Sequence, residues 1–273
     1  MLYGAKNGRV EFPDGKMDYL RFGTGKQTLI LLPGLGDGLR SSYGLALPTA
    51  ILYRMYAKDY TVYMFSRKDR MPLGCSTENM ARHVAEAMDI LGIEKAHILG
   101  VSMGGMIAQH LAADHPEKVE KLVLAVTAAR PNPVLTDSLD LWMDQAKAGD
   151  HTALMDSNIK RIYSADYYRK NRWMVPILGK LTKPRSYDRF LIMAQACLDH
   201  DAWNKLPRIT APTLVLGGGK DETLGSEAAG EIAAVIPGAV LKVYVPWGHG
   251  LYEEAPEFNG DVLAFLNNTN TEP

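Results

Sequence analysis

Short apolar runs alternate along this chain with longer stretches in which apolar residues recur every three or four positions. Residues 27–32, 60–66, 96–101, 119–126, 212–216 and 240–245 are near-continuous apolar runs and read as strands buried on both faces. Residues 45–56, 77–91, 104–114, 226–236 and 256–267 carry the helical period between them. Ser76 or Thr77 caps the second of these helices, Pro116 stops the third, and Pro256 stands at the start of the last. Residues 9–12 and 17–22 are two further strands joined by the turn Pro13-Asp14-Gly15. Strands and helices in this order predict a mostly parallel sheet with helices on both faces.

The rhythm breaks after Thr127. Residues 130–206 hold no strong strand and carry helical patterns at 138–148, 152–163, 167–180 and 187–198. The stretch is rich in aromatic residues and methionine, including Trp142, Met155, Trp173, Phe190 and Met193, which read mainly as a small core of its own. The expected organisation is a first core segment at 1–129, a helical cap at 130–206 and a second core segment at 207–273. The length of 273 residues suits one α/β domain with such an insertion.

Composition narrows the function classes. A formal net charge of −1 gives no reason to expect nucleic acid or an anionic membrane surface as a partner. No apolar stretch approaches the roughly 20 residues needed to span a bilayer, and the first residues show no signal-peptide pattern, so a cytoplasmic location is expected. Cys75 and Cys197 read as two buried free thiols. Nothing calls for a cofactor or a metal, and the expected partner is a small-molecule substrate with an apolar portion.

Candidate chemistry centres on Gly100-Val101-Ser102-Met103-Gly104, where an apolar strand pattern meets a helical one. Small residues two before and two after a serine allow a sharp strand-to-helix reversal with the serine at its apex. An ordinary turn capped by a serine would show the same five residues. Two later segments favour a nucleophile. A serine hydroxyl needs a neighbouring base, and a histidine held by a carboxylate supplies one. Asp221 follows an apolar strand through Gly217-Gly218-Gly219-Lys220, with Glu222 as the adjacent alternative. His249 lies in Trp247-Gly248-His249-Gly250 after the last strand, whereas the other histidines fall in helix, strand or insertion patterns. Charge developing on a carbonyl oxygen needs fixed donors. The N–H of Met103 is one candidate. The N–H of Leu35, in Pro33-Gly34-Leu35-Gly36 after the first buried strand, is the other. Asp37 and Arg40 read as turn and helix-start residues, with contact to a polar substrate group as the alternative.

Taken together, residues 32–36, 100–105, 217–221 and 248–250 closely resemble the α/β-hydrolase superfamily, its serine-nucleophile, esterase-like branch. The resemblance covers nearly the whole chain. It implies an α/β-hydrolase fold with an eight-stranded, mostly parallel sheet and the helical insertion as a lid. It also implies Ser102 as nucleophile, His249 as base and Asp221 as its partner. Many relatives have histidine where this chain has Pro33, so the oxyanion loop must be braced by other means. The expected activity is hydrolysis of a small to medium carboxylic ester through an acyl-enzyme. The same triad also serves carbon–carbon bond hydrolysis, acyl transfer or a lyase reaction, and a binding or sensor protein could retain a slow triad.

Overall fold

The computed structural model describes residues 2–268. Eight strands form one sheet in the order β1-β2-β4-β3-β5-β6-β7-β8, where β1 is Lys6–Phe12, β2 Gly15–Phe22, β3 Gln27–Leu32, β4 Tyr60–Lys68, β5 Ala96–Val101, β6 Val119–Ala125, β7 Thr213–Gly218 and β8 Val240–Tyr244. β1 and β2 are antiparallel, as is β2 to β4, and every pair from β4 to β8 is parallel. The mostly parallel, eight-stranded sheet expected from the pattern is therefore what forms.

Its faces are covered by helices α1 (Ala46–Leu52), α2 (Thr77–Ile90) and α3 (Met103–Asp114), and by three after the insertion. Between β6 and β7 come α4 (Pro133–Lys147), α5 (His151–Ile162), α6 (Ala165–Asn171), α7 (Val175–Leu181) and α8 (Asp188–Leu198). The last three are α9 (Ala228–Val235), α10 (Leu251–Glu254) and α11 (Phe258–Asn267). One core cluster joins the sheet to α2, α3 and α9, and the other joins it to α1 and α11. Ser76 caps α2 through a reciprocal capping box with Asn79, a device worth about 1 kcal/mol.

Several element bounds differ from the sequence reading. The helical pattern at 167–180 is not one helix. It breaks at a tight turn, Arg172–Met174, because Pro176 has no N–H to continue α6 and sits instead in the first turn of α7. Helix α4 begins at Pro133, capped by Asn132, several residues before the apolar pattern shows. The closing helix starts at Phe258, with the short α10 before it. The insertion also lacks a wholly separate core: buried Trp142, Phe190 and Met193 belong to the same cluster as α2 and α3, while Trp173 is exposed. The cause is close docking of α8 on the turn after β3, where a Cβ at Gly38 would lie 2.9 Å from Phe190 Cα. Cys75 and Cys197 are free and buried.

Candidate active site

Parallel strands send their carboxyl ends to one edge, and the loops after β3, β5, β7 and β8 meet there. Ser102 sits between β5 and α3 with φ 55° and ψ −122°, a conformation that costs a residue with a side chain. The flanking glycines explain how the chain reaches it. A Cβ at Gly100 would lie 2.5 Å from the Gly104 carbonyl oxygen, and one at Gly104 would lie 1.9 Å from that of Leu32. The Ser102 N–H donates to Ala125, and the Thr127 hydroxyl donates to the Ser102 carbonyl, so the strained apex is tied on both sides. Although Ser102 precedes α3, its side chain makes no capping bond. That removes the plain capped-turn alternative.

The hydroxyl instead meets His249. Ser102 Oγ lies 3.0 Å from His249 Nε2, and His249 Nδ1 lies 2.8 Å from Asp221 Oδ2. The other Asp221 oxygen accepts from the N–H groups of Thr223 and Leu224, each at 2.8 Å. Burial acts to raise the Asp221 carboxyl, but the His249 ring and these two donors outweigh it and hold it below the ordinary carboxylate range. Both Asp221 and His249 are buried and in contact, whereas the neighbouring Glu222 is exposed. The competing His200 is buried too, but Thr77 and His110 enclose it. Burial drops its pKa to about 3.

Met103 opens α3 and Leu35 opens the tight turn Leu35–Gly38, so neither N–H has an acceptor within its own helix. The two loops touch: a Cβ at Gly34 would lie 3.3 Å from Ser102 Cβ. With Pro33 in place of a histidine, the bracing comes from three charged residues. Arg67 donates to the Pro33 and Phe65 carbonyls, and its backbone N–H donates to Asp37 Oδ2 at 2.8 Å. Arg189, from α8, pairs with the Asp37 carboxylate and donates to the carbonyls of Asp37, Arg67 and Lys68. Burial lowers the Arg67 guanidinium to about 10, partly offset by Asp37, so it stays charged at neutral pH. Asp37 lines the cavity with its carboxylate engaged by Arg67 and Arg189, and Arg40 is exposed away from the cavity. Local spacing gave no sign of the Asp37–Arg189 pair.

A cavity of about 420 Å³ opens over Ser102 and His249. Its lining includes Leu35 and Gly34 on one side, Trp142 and Ile162 from the insertion on another, and Tyr252 and Glu253 from α10. Glu253 was not singled out in the sequence, although its place four positions after His249 is a signal that could have been used. Among the described residues no group of three or more His, Cys, Asp or Glu side chains gathers as a metal ion would require, and no helix is long and apolar enough to cross a membrane.

The sequence pattern of the family described as alpha/beta hydrolase fold matches residues 27–256. A Caulobacter sp. (strain K31) protein named "Putative carbamate hydrolase RutD" is 29% identical over 89% of this chain and 91% of its own length. A Pseudomonas putida 2-hydroxy-6-oxononadienedioate/2-hydroxy-6-oxononatrienedioate hydrolase is 28% identical over 93% of this chain and 92% of its own. Among solved structures, MGS-M2, an alpha/beta hydrolase enzyme from a deep-sea metagenome library of the Medee basin, superposes with a TM-score of 0.85. The two are 23% identical, with 97% of this chain and 99% of the other covered.

Proposed function

This chain belongs to the α/β hydrolase fold family, and on that footing we propose that it is a serine hydrolase cleaving a small to medium carboxylic ester through an acyl-enzyme. The observation that carries the reading is the unbroken hydrogen-bonded chain from Ser102 through His249 to Asp221, lying at the wall of a cavity with room for a small substrate.

The chemistry follows from the geometry. Asp221 accepts a hydrogen bond from His249 Nδ1–H and so holds the tautomer whose Nε2 is free to take the proton of the Ser102 hydroxyl. Ser102 Oγ attacks the carbonyl carbon. The Leu35 and Met103 N–H groups receive the oxygen as it gains charge, a contribution of roughly 3–4 kcal/mol per donor. His249 returns the proton to the departing alkoxide. Water, activated by the same histidine, then releases the acid and restores Ser102. Helices α4–α8, the stretch 130–206, act as the cap over this edge and supply part of the cavity wall.

Two relatives point to neighbouring chemistries. A carbamate offers the same kind of carbonyl to Ser102. A dienedioate carries two carboxylates, and among the described residues no lysine or arginine lines this cavity to receive them, which favours the ester over carbon–carbon bond hydrolysis. The test is a series of p-nitrophenyl esters of rising acyl length with wild type and Ser102→Ala. Turnover that falls by about 10⁴-fold or more in the variant is expected. Full activity in the variant overturns the assignment. A wild type inert to esters but labelled at Ser102 by a fluorophosphonate would favour carbon–carbon hydrolysis, and ligand binding without turnover would favour a sensor.

A further inference from the structure

The end of the cavity formed by α10 is polar in an otherwise largely apolar wall. Tyr53, Tyr163, Tyr252 and Glu253 all line it. Glu253 is accessible, yet burial is the main cause that raises its carboxyl above the usual range. The two facts agree if its open face is turned to the cavity, walled by Tyr163 and Tyr252, rather than to bulk water. Among the described residues only one of its carboxylate oxygens is engaged by a side chain: Tyr163 donates to Oε2 at 2.8 Å. No salt bridge among the described residues reaches Glu253, whereas Asp37, the other carboxylate on the lining, is paired with Arg189.

The carboxylate is held in a fixed relation to the reacting groups. The Glu253 N–H donates to the Gly250 carbonyl at 2.9 Å, and the Gly250 N–H donates to the Ile162 carbonyl at 2.6 Å. Gly250 directly follows His249, and Ile162 ends α5. A Cβ at Gly250 would lie 2.8 Å from Tyr163 Cδ1. Tyr163 in turn stacks on Tyr167, with ring centroids 4.2 Å apart. The tyrosine that positions Glu253 is therefore pressed against the loop that carries His249.

We propose that Glu253 selects the substrate: its free Oε1 accepts a hydrogen bond from a hydroxyl or ammonium group on the part of the ester remote from the scissile carbonyl, and it rejects a carboxylate there. This rests on the ester reading of Ser102. A carboxylate with one open oxygen, in a cavity with no lysine or arginine among its described lining residues, attracts donors and repels anions.

The test uses ethyl hexanoate, its ω-hydroxy and ω-ammonio derivatives, and the monoethyl ester of adipate, with acid release followed by a pH indicator. Wild type is expected to favour the two donor-bearing esters over the adipate monoester by about tenfold or more in kcat/KM, the span of one hydrogen bond to a charged group. Glu253→Gln keeps an oxygen for Tyr163 but removes the charge, and brings the ratio of ω-ammonio ester to adipate monoester towards one. Tyr163→Phe removes the positioning donor but leaves the charge, so the preference narrows less than in Glu253→Gln. An unchanged ratio in Glu253→Gln, or the same collapse in Tyr163→Phe, overturns this assignment alone. Inertness of wild type towards all four esters overturns the ester reading together with it.

Discussion

Around Ser102 the carboxyl edge of the sheet leaves almost no room for adjustment, whereas the insertion above it is five helices joined to the core by side chains and a few backbone contacts. At the edge, backbone meets backbone: β3 packs so closely on the start of α3 that a Cβ at Gly104 would sit 1.9 Å from the Leu32 carbonyl oxygen. In the insertion, α4, α5 and α6 are each started by a capping side chain, Asn132, Asp150 and Ser164, and contact with the core runs through pairs such as Ser164 with Glu254 and Arg189 with Asp37. The difference separates two tasks. Bond-making geometry needs tolerances that only a packed sheet edge supplies, while choice of substrate can rest on side chains that exchange without disturbing the strands.

Substitutions at the edge should therefore act on kcat, and after Ser102→Ala the largest effect is expected at Asp221. Asp221→Asn keeps the shape but lets His249 adopt the wrong tautomer, and kcat should fall by about 10⁴-fold with little change in KM. A loss below tenfold would show that the His249–Asp221 contact is not the one that orients the base.

Arg189 lies where the two regions meet, so it tests how separate they are. Arg189→Gln leaves the buried Asp37 carboxylate without its partner, a change that costs on the order of 3 kcal/mol. The thermal midpoint should drop, and kcat should fall by about tenfold as the Leu35 loop loses its brace. A stability loss with kcat intact would mean that the insertion holds the fold without tuning the oxyanion side.

The smallest expected effect is a slope with pH, and it comes from buried rings away from the reacting groups, His200 at the end of the insertion and His83 in α2. His200 has an ordinary value of 6.5 and is held at about 3 by burial, and His83 is likewise held at about 4. The folded protein keeps these rings neutral, while the unfolded chain takes up protons below about pH 6.5. Their contribution is intact above that pH and is lost as pH falls towards the folded values, at up to about 1.4 kcal/mol per pH unit for each ring. Urea unfolding between about pH 7 and pH 5 should show the decline, and His200→Gln should make it shallower. A steeper decline in the variant would contradict the assignment of the slope to His200.

The same division explains what could be read from the sequence. Gly100, Ser102 and Gly104 stand out because a steric demand within five residues leaves a local mark, and Asp221 and His249 stand out because each follows a strand of a parallel sheet. The pairing of Asp37 with Arg189 spans 152 positions and depends on how α8 docks, so no local pattern announces it. The break at Pro176 was visible as a proline but outweighed by the apolar spacing around it. The Tyr163–Glu253 contact joins the end of α5 to α10, and α10 itself is too short to show a period.

Covalent labelling probes the nucleophile itself, free of any assumption about substrate. After treatment with a fluorophosphonate, intact-protein and peptide mass spectrometry should find one adduct, on the peptide containing Ser102, and none in Ser102→Ala. An adduct on another residue, or an unlabelled wild type that still turns over esters, would contradict the assignment of Ser102, His249 and Asp221 as the reacting group.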